Sequence, residues 1–223
     1  GYYDALIVSG VLDKNIARAV KLPKAVTGKG ATPVLAPALV TLILGTIPLK
    51  TSADYRDRAL IALMAYSLFR ISAALRMKVH DYEMRGDTRY LIALEKGGNS
   101  HEMPVHPVLQ HYLDDYLMHA QLLDSPQAPL FQGATPHGGK LSGKVYGRAG
   151  AWKMVQRRAR AAGYFEQIGN HSFRATGITA YLGSGGMLEE ARKMAGHKSA
   201  ETTRIYDRNV DEVDPEEVGK IRF

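Results

Sequence analysis

Four side chains toward the C-terminal end of the sequence could act together on a phosphate: His171, Arg174, His197 and Tyr206. They share one stretch, Asn170 to Arg208, which reads NHSFRATGITAYLGSGGMLEEARKMAGHKSAETTRIYDR. His171 and Arg174 are three apart, so a helix would present them on one face. His197 follows Ala195-Gly196, a fitting helix end. Tyr206 follows a threonine-rich turn, Glu201-Thr202-Thr203-Arg204. An arginine grips phosphate with a permanently charged fork, a histidine can hydrogen-bond phosphate or move a proton, and a tyrosine hydroxyl can attack. Taken alone, Tyr206 is better read as a core tyrosine beside a C-terminal helix. Taken together, the four suggest a nucleophile surrounded by groups that stabilise negative charge.

The elements that must position these residues read mainly as helices. Tyr2 to Val20 holds apolar residues at helical spacing, broken by Asp13-Lys14-Asn15, and the basic, glycine- and proline-containing stretch Lys21 to Gly30 reads as a linker. Thr32 to Ile47 opens a short helix. Thr51 to Asp54 offers an N-cap to a longer one, apolar enough to be buried on more than one side, that runs to Phe69 and delivers Arg70. An arginine buried after so apolar a helix must be paired or bind an anion. Between His80 and His106 the period changes to two. Arg89 to Leu94 and His101 to Val105 read as paired strands, Arg85-Gly86-Asp87 as a turn before them, and Lys96 to Ser100 as the turn between them. On its own, Lys96 is a solvated turn lysine.

Pro107 to Leu123 reads as a helix with a core stripe that includes Tyr112 and Tyr116, and Ser125 to Gly143 as loop, with a short strand at Leu130-Phe131. Lys144 to Ala162 reads as a basic helix with Trp152 and Val155 toward the core. The acidic tail after Asp207 is expected to add one more helix from Asp214 or Pro215. His106, His111 and His119 lack a metal-ligand spacing and read as surface residues.

Composition narrows the classes. With 223 residues, 45% hydrophobic, the chain can bury a sizeable core. Lys+Arg 29 against Asp+Glu 22 gives a net charge of +7, which fits a surface for a polyanion without requiring one. There is no cysteine, so disulfides, thiolate catalysis and cysteine-based zinc sites are excluded. The longest apolar run, Val34 to Leu49, is interrupted by Pro37, Gly45 and Pro48 and is too short to span a bilayer. The first residues lack a signal-peptide layout and read as a cut within a longer protein.

Several motifs occur in a recognisable order. Ser67-Leu68-Phe69-Arg70-Ile71-Ser72-Ala73 comes first, then Glu95-Lys96-Gly97-Gly98-Asn99-Ser100-His101-Glu102-Met103-Pro104-Val105, then His171-x-x-Arg174, Gly196-His197 and, nine residues past that histidine, Tyr206. This order resembles the tyrosine recombinases, or phage integrases, over nearly the whole chain, and the wording of the motifs is similar to the mobile-element subgroup. The resemblance implies an α+β, mainly α-helical catalytic-domain fold with a small three-stranded antiparallel sheet. It makes residues 1–29 the end of a preceding DNA-binding domain plus linker, and residues 30–223 the catalytic domain. It implies catalytic roles for Arg70, Lys96, His171, Arg174, His197 and Tyr206. Arg70, Arg174 and His197 would hold the scissile phosphate, Tyr206 would form a 3′-phosphotyrosyl bond, Lys96 would protonate the leaving 5′-oxygen, and His171 would take the tyrosine proton or ligate phosphate. The energy of the broken bond is kept in the ester, so no metal or other cofactor is expected. The implied partner is double-stranded DNA, with a homotetramer on DNA and a monomer left open for the isolated chain. The expected place is the cytoplasm, on the nucleoid when acting.

One departure stands out. The family often has a glutamate three residues after its first arginine, where it steadies an active-site histidine; here that position is Ala73. Another group is therefore expected to support His197. Three other readings compete: a non-catalytic DNA-binding module, a metal-dependent nuclease, and a type IB topoisomerase-like enzyme that relaxes DNA.

Overall fold

The computed structural model describes residues 2–15, 32–94, 100–135 and 139–207. The expected linker at 21–30, the Lys96 turn and the tail helix lie outside the described residues. In chain order the elements are α1 (Tyr2–Val8), α2 (Pro37–Gly45), α3 (Ser52–Tyr66), α4 (Ile71–Ala74), β1 (Tyr82–Arg85), β2 (Thr88–Leu94), β3 (Ser100–Pro104), α5 (Pro107–His119), β4 (Gln132–Ala134), β5 (Leu141–Val145), α6 (Arg148–Ala161), α7 (Asn170–Gly183), α8 (Leu188–Met194) and α9 (Ala200–Arg204).

Helix α3 is the centre of the fold. Thr51 caps it: its hydroxyl accepts from the Asp54 amide, and the Asp54 carboxylate accepts from the Thr51 amide at 3.0 Å. Every residue from Ala59 to Met64 is fully buried, so this helix is covered on all sides, as its unbroken apolar run demands. It packs against α5 and α7. With α7 the approach is closest at Gly177, where a Cβ would stand 2.0 Å from the Ala65 carbonyl oxygen.

The three strands β1-β2-β3 form one antiparallel sheet, with Leu91 opposite Met103 and Ala93 opposite His101. Leu91, Ala93 and Met103 face the core, which is the alternation that the sequence pattern requires. Gly86, at φ +57, makes the turn from β1 to β2. The expected α+β, mainly helical architecture with a small three-stranded sheet is the one observed.

Some expectations need correction. Helix α1 ends at Val8 and buries none of its side chains. Helix α2 starts at Pro37 rather than Thr32, because the proline fixes the first turn. Helix α3 stops at Tyr66, not Phe69: Ser67 is its C-cap and Leu68 takes a left-handed φ of +59. The short strand is β4, beginning at Gln132, just after Leu130-Phe131, and its partner β5 takes Lys144 out of the helix that follows. The residues of β5 are almost all exposed, so no apolar alternation marks it in the sequence. Trp152 is 42% exposed rather than in the core. The buried stripe of α6 runs through Ala151, Met154, Val155 and Ala159, and Trp152 lies one position, about 100° of helix, off it. Tyr112, expected in the core stripe of α5, is only partly buried. None of the described helices is long and apolar enough to cross a membrane.

Candidate active site

The C-terminal break in α3 begins the site. Left-handed backbone at a leucine costs about 1–2 kcal/mol, and here it turns the Leu68 carbonyl toward α7, where Arg174 Nη1 donates to it. Two residues later the chain is extended at Arg70, which N-caps α4 and is half-buried.

Arg174 comes from the second turn of α7, whose close approach at Gly177 draws it into the protein. Only 1% of it is exposed. Its Nη2 donates to the Ala195 carbonyl at 2.6 Å and to His197 Nε2 at 2.8 Å.

His197 is positioned by the end of α8. Gly196 has φ +57, its amide donates to Lys193 O, and the His197 amide donates to Arg192 O. Those two bonds form a Schellman motif, which ends the helix and fixes the backbone of the residue after the glycine. Arg192 Nη1 returns a bond to the His197 carbonyl at 3.0 Å. A side chain at position 196 would be strained in backbone and crowded in space. A Cβ there would stand 3.0 Å from His101 Nδ1, and Arg70 Nη1 lies 4.0 Å from the same point. Gly196 thus lets Arg70, His101 and His197 draw together.

His197 is 6% exposed, and its Nδ1 lies 2.9 Å from Thr203 Oγ1 on α9. Burial, then the nearby Arg174 and Arg70 guanidiniums and His171, push its pKa down to about 4. The ring is therefore neutral at pH 7. The His197 and Tyr206 rings stack with centroids 6.3 Å apart and planes 16° from parallel. Tyr206 follows α9 and closes a small apolar cluster with Leu68, Ala175, Ile178, Leu182, Ala191 and Ala195. That cluster ties the nucleophile candidate to the same helices that carry Arg174 and His197.

His171 sits on the first turn of α7 and is solvent-exposed, although it shares its helix with the buried Arg174. Partial loss of water around the ring, then the Arg174 and Arg70 charges, hold its pKa below the ordinary histidine value. So Arg70, His171, Arg174, His197 and Tyr206 gather in one place. Lys96 lies outside the described residues, between β2 and β3. Ala73 is buried and carries no polar group; the support for His197 that it cannot give comes from Thr203. Thr203, His101 and Leu68 are site neighbours that the sequence motifs do not mark by role. Leu68 and His101 stand inside the quoted motifs, and Thr203 belongs to the adjacent threonines before Tyr206.

Among the described residues no group of three or more histidines, cysteines and acids gathers to hold a metal. His106 instead caps α5 and stacks on Tyr66 at 4.6 Å, and His119 stacks on Tyr55 at 3.8 Å.

Residues 34–212 match the phage integrase family model. The tyrosine recombinase XerD of Mycobacterium leprae is 29% identical over 216 residues, covering 92% of this chain and 65% of that protein. XerC of Nitrobacter winogradskyi is 31% identical over 152 residues, covering 68% of this chain and 45% of that protein. The chain thus spans about half to two thirds of the length of these relatives. Among solved structures, the XerH recombinase in a post-cleavage complex with its difH substrate superposes with a TM-score of 0.66 at 22% identity, covering 86% of this chain and 54% of that one. A lambda integrase tetramer bound to a Holliday junction gives 0.63 at 18% identity, covering 95% of this chain and 58% of that one. These likenesses establish the fold.

Proposed function

The chain belongs to the phage integrase family, and from that premise we propose that it is a site-specific DNA recombinase acting through a covalent Tyr206–DNA intermediate. The observation that carries the reading is the gathering of Arg70, Arg174, His197 and Tyr206 around the Schellman turn at Gly196. The XerH and lambda integrase structures that share the fold are DNA complexes, which supports DNA as the partner and a tetramer as the working assembly.

In this reading the guanidiniums of Arg70 and Arg174 bind the nonbridging oxygens of the scissile phosphate, and His197 donates a further hydrogen bond. The Tyr206 oxygen attacks phosphorus, a new P–O bond forms and the P–O5′ bond breaks. The tyrosine proton passes to His171, whose lowered pKa keeps it neutral and able to accept. Lys96 protonates the leaving 5′-oxygen. A 5′-hydroxyl from a second DNA then attacks the ester and regenerates the tyrosine. Residues 30–223 would be the catalytic unit, and 1–29 the end of a DNA-binding domain.

The test is a denaturing gel. Nicked duplexes from DNA flanking the gene are incubated with the protein in EDTA, beside Tyr206→Phe. The proposal expects a covalent adduct with the wild type alone. No adduct on DNA that the full-length protein binds would favour a binding module, and relaxation of supercoiled DNA without site preference would favour the topoisomerase reading.

A further inference from the structure

His197 faces two partners of different kinds, and together they determine where its proton is. Arg174 Nη2, 2.8 Å from Nε2, carries only donors, so Nε2 must accept. A neutral imidazole has one N–H, which must then be on Nδ1, donating to Thr203 Oγ1 at 2.9 Å. In this form His197 cannot donate from Nε2 to a phosphate. Thr203 is wholly buried, and α9 holds its hydroxyl against the ring.

A hydroxyl differs from a carboxylate in one respect that matters here. An ionised carboxylate only accepts, so it would keep the proton on Nδ1. A hydroxyl both accepts and donates. We propose that Thr203 is the positioning residue of His197 and that its hydroxyl lets the neutral ring exchange tautomers when phosphate enters. Without phosphate, Nδ1–H donates to Thr203 and Nε2 accepts from Arg174. With phosphate, Arg174 turns its N–H groups to the phosphate, and water takes one proton from Nδ1 and delivers another to Nε2. The Thr203 hydroxyl rotates to donate to Nδ1, and Nε2–H donates to the nonbridging oxygen. No net charge is gained or lost. The site thus obtains a neutral hydrogen-bond donor for the phosphate without a carboxylate at position 73. The role of this exchange in catalysis rests on the recombinase reading; the tautomer in the free protein does not.

The experiment separates the two. Nitrogen-15 NMR of histidine-labelled protein at pH 7 reads which His197 nitrogen carries the proton. The expected result for the wild type and Thr203→Ser is Nδ1 protonated and Nε2 bare. Thr203→Val, which keeps the shape and loses the hydroxyl, should keep Nε2 bare under Arg174 but leave the Nδ1–H without its acceptor, moving its nitrogen-15 and proton shifts toward those of an unbonded N–H. On the nicked duplex, Thr203→Ser should form adduct within about threefold of wild type and Thr203→Val at least about tenfold more slowly, the scale of one lost hydrogen bond to a reacting group. A wild-type spectrum with Nε2 protonated would overturn the proposal whatever the activity. So would Thr203→Val with unchanged Nδ1–H shifts and an unchanged rate. An expected spectrum with no adduct from any variant would leave Thr203 as the partner of the His197 Nδ1–H and remove the catalytic reading.

Discussion

Two arginine sites flank α3 and are treated differently by the protein. On the α6 side, Asp57, fully buried, accepts from Arg56 at 2.6 Å and from Arg157 and Arg158 at 2.7 Å. Arg158 also bonds Asp54 at 2.5 Å. Burial works against the Asp54 charge, but Arg158 and Thr51 outweigh it and hold the carboxyl below its ordinary range. Arg56 further stacks over Tyr146 at 4.0 Å. On the α7 side, Arg174 is gripped by two carbonyl oxygens and the His197 ring, contacts that satisfy N–H groups without cancelling charge. The first arrangement fastens α6 to α3. The second holds a cation in fixed aim beside the His197 ring. Substitutions should therefore separate cleanly into losses of stability and losses of chemistry.

The largest effect is expected at the first flank. Asp57→Asn would deprive the buried guanidiniums of their shared counter-charge and cost about 3–5 kcal/mol of stability, read by chemical denaturation. The fraction that stays folded should cleave at the normal rate. At the second flank, Arg174→Lys keeps the charge and loses the fork. It should slow adduct formation by about 100-fold while shifting the melting temperature far less than Asp57→Asn does. Equal damage to both properties from both variants would break the contrast.

The pH dependence sharpens it. His197 has a folded pKa of about 4 against an unfolded value of 6.5. Below 6.5 the unfolded chain takes up a proton that the folded chain refuses, so stability falls as pH drops through that window and is unaffected above it. The loss should reach about 3 kcal/mol at most. Denaturation measured at several pH values should show a shallower slope for His197→Gln. A smaller effect is expected from Gly177→Ala, whose methyl would push α7 off α3. The cost is about 1–3 kcal/mol, with cleavage falling as well, because α7 carries Arg174. Lys193→Ala, which removes an exposed pair with Glu190, should change neither the melting curve nor the adduct yield.

Much of this arrangement is legible in the amino-acid sequence. The apolar run of α3, the period-two stretch of β2 and β3, and the spacing from His171 to Tyr206 each follow from local periodicity or motif order. What cannot be read there depends on elements distant in sequence meeting in space. The left-handed Leu68 is unmarked by a glycine, and its purpose appears only with Arg174, 106 residues on. Trp152 and Val155 are both plausible core residues until the neighbours of α6 decide which face is covered. Strand β5 has too little burial to leave a pattern. Thr203 is visible as part of a threonine pair, but its bond to His197 depends on how α9 docks beside the α8 turn.

The central claim is that Tyr206 supplies the protein's oxygen to the protein–DNA bond. Trypsin digestion of a trapped adduct, followed by mass spectrometry, tests it directly. The account predicts nucleotide mass on the peptide Ile205-Tyr206-Asp207-Arg208, joined through a 3′-phosphate, with a free 5′-hydroxyl on the released strand. Nucleotide on any other residue, or a 5′-phosphotyrosyl bond, would contradict it.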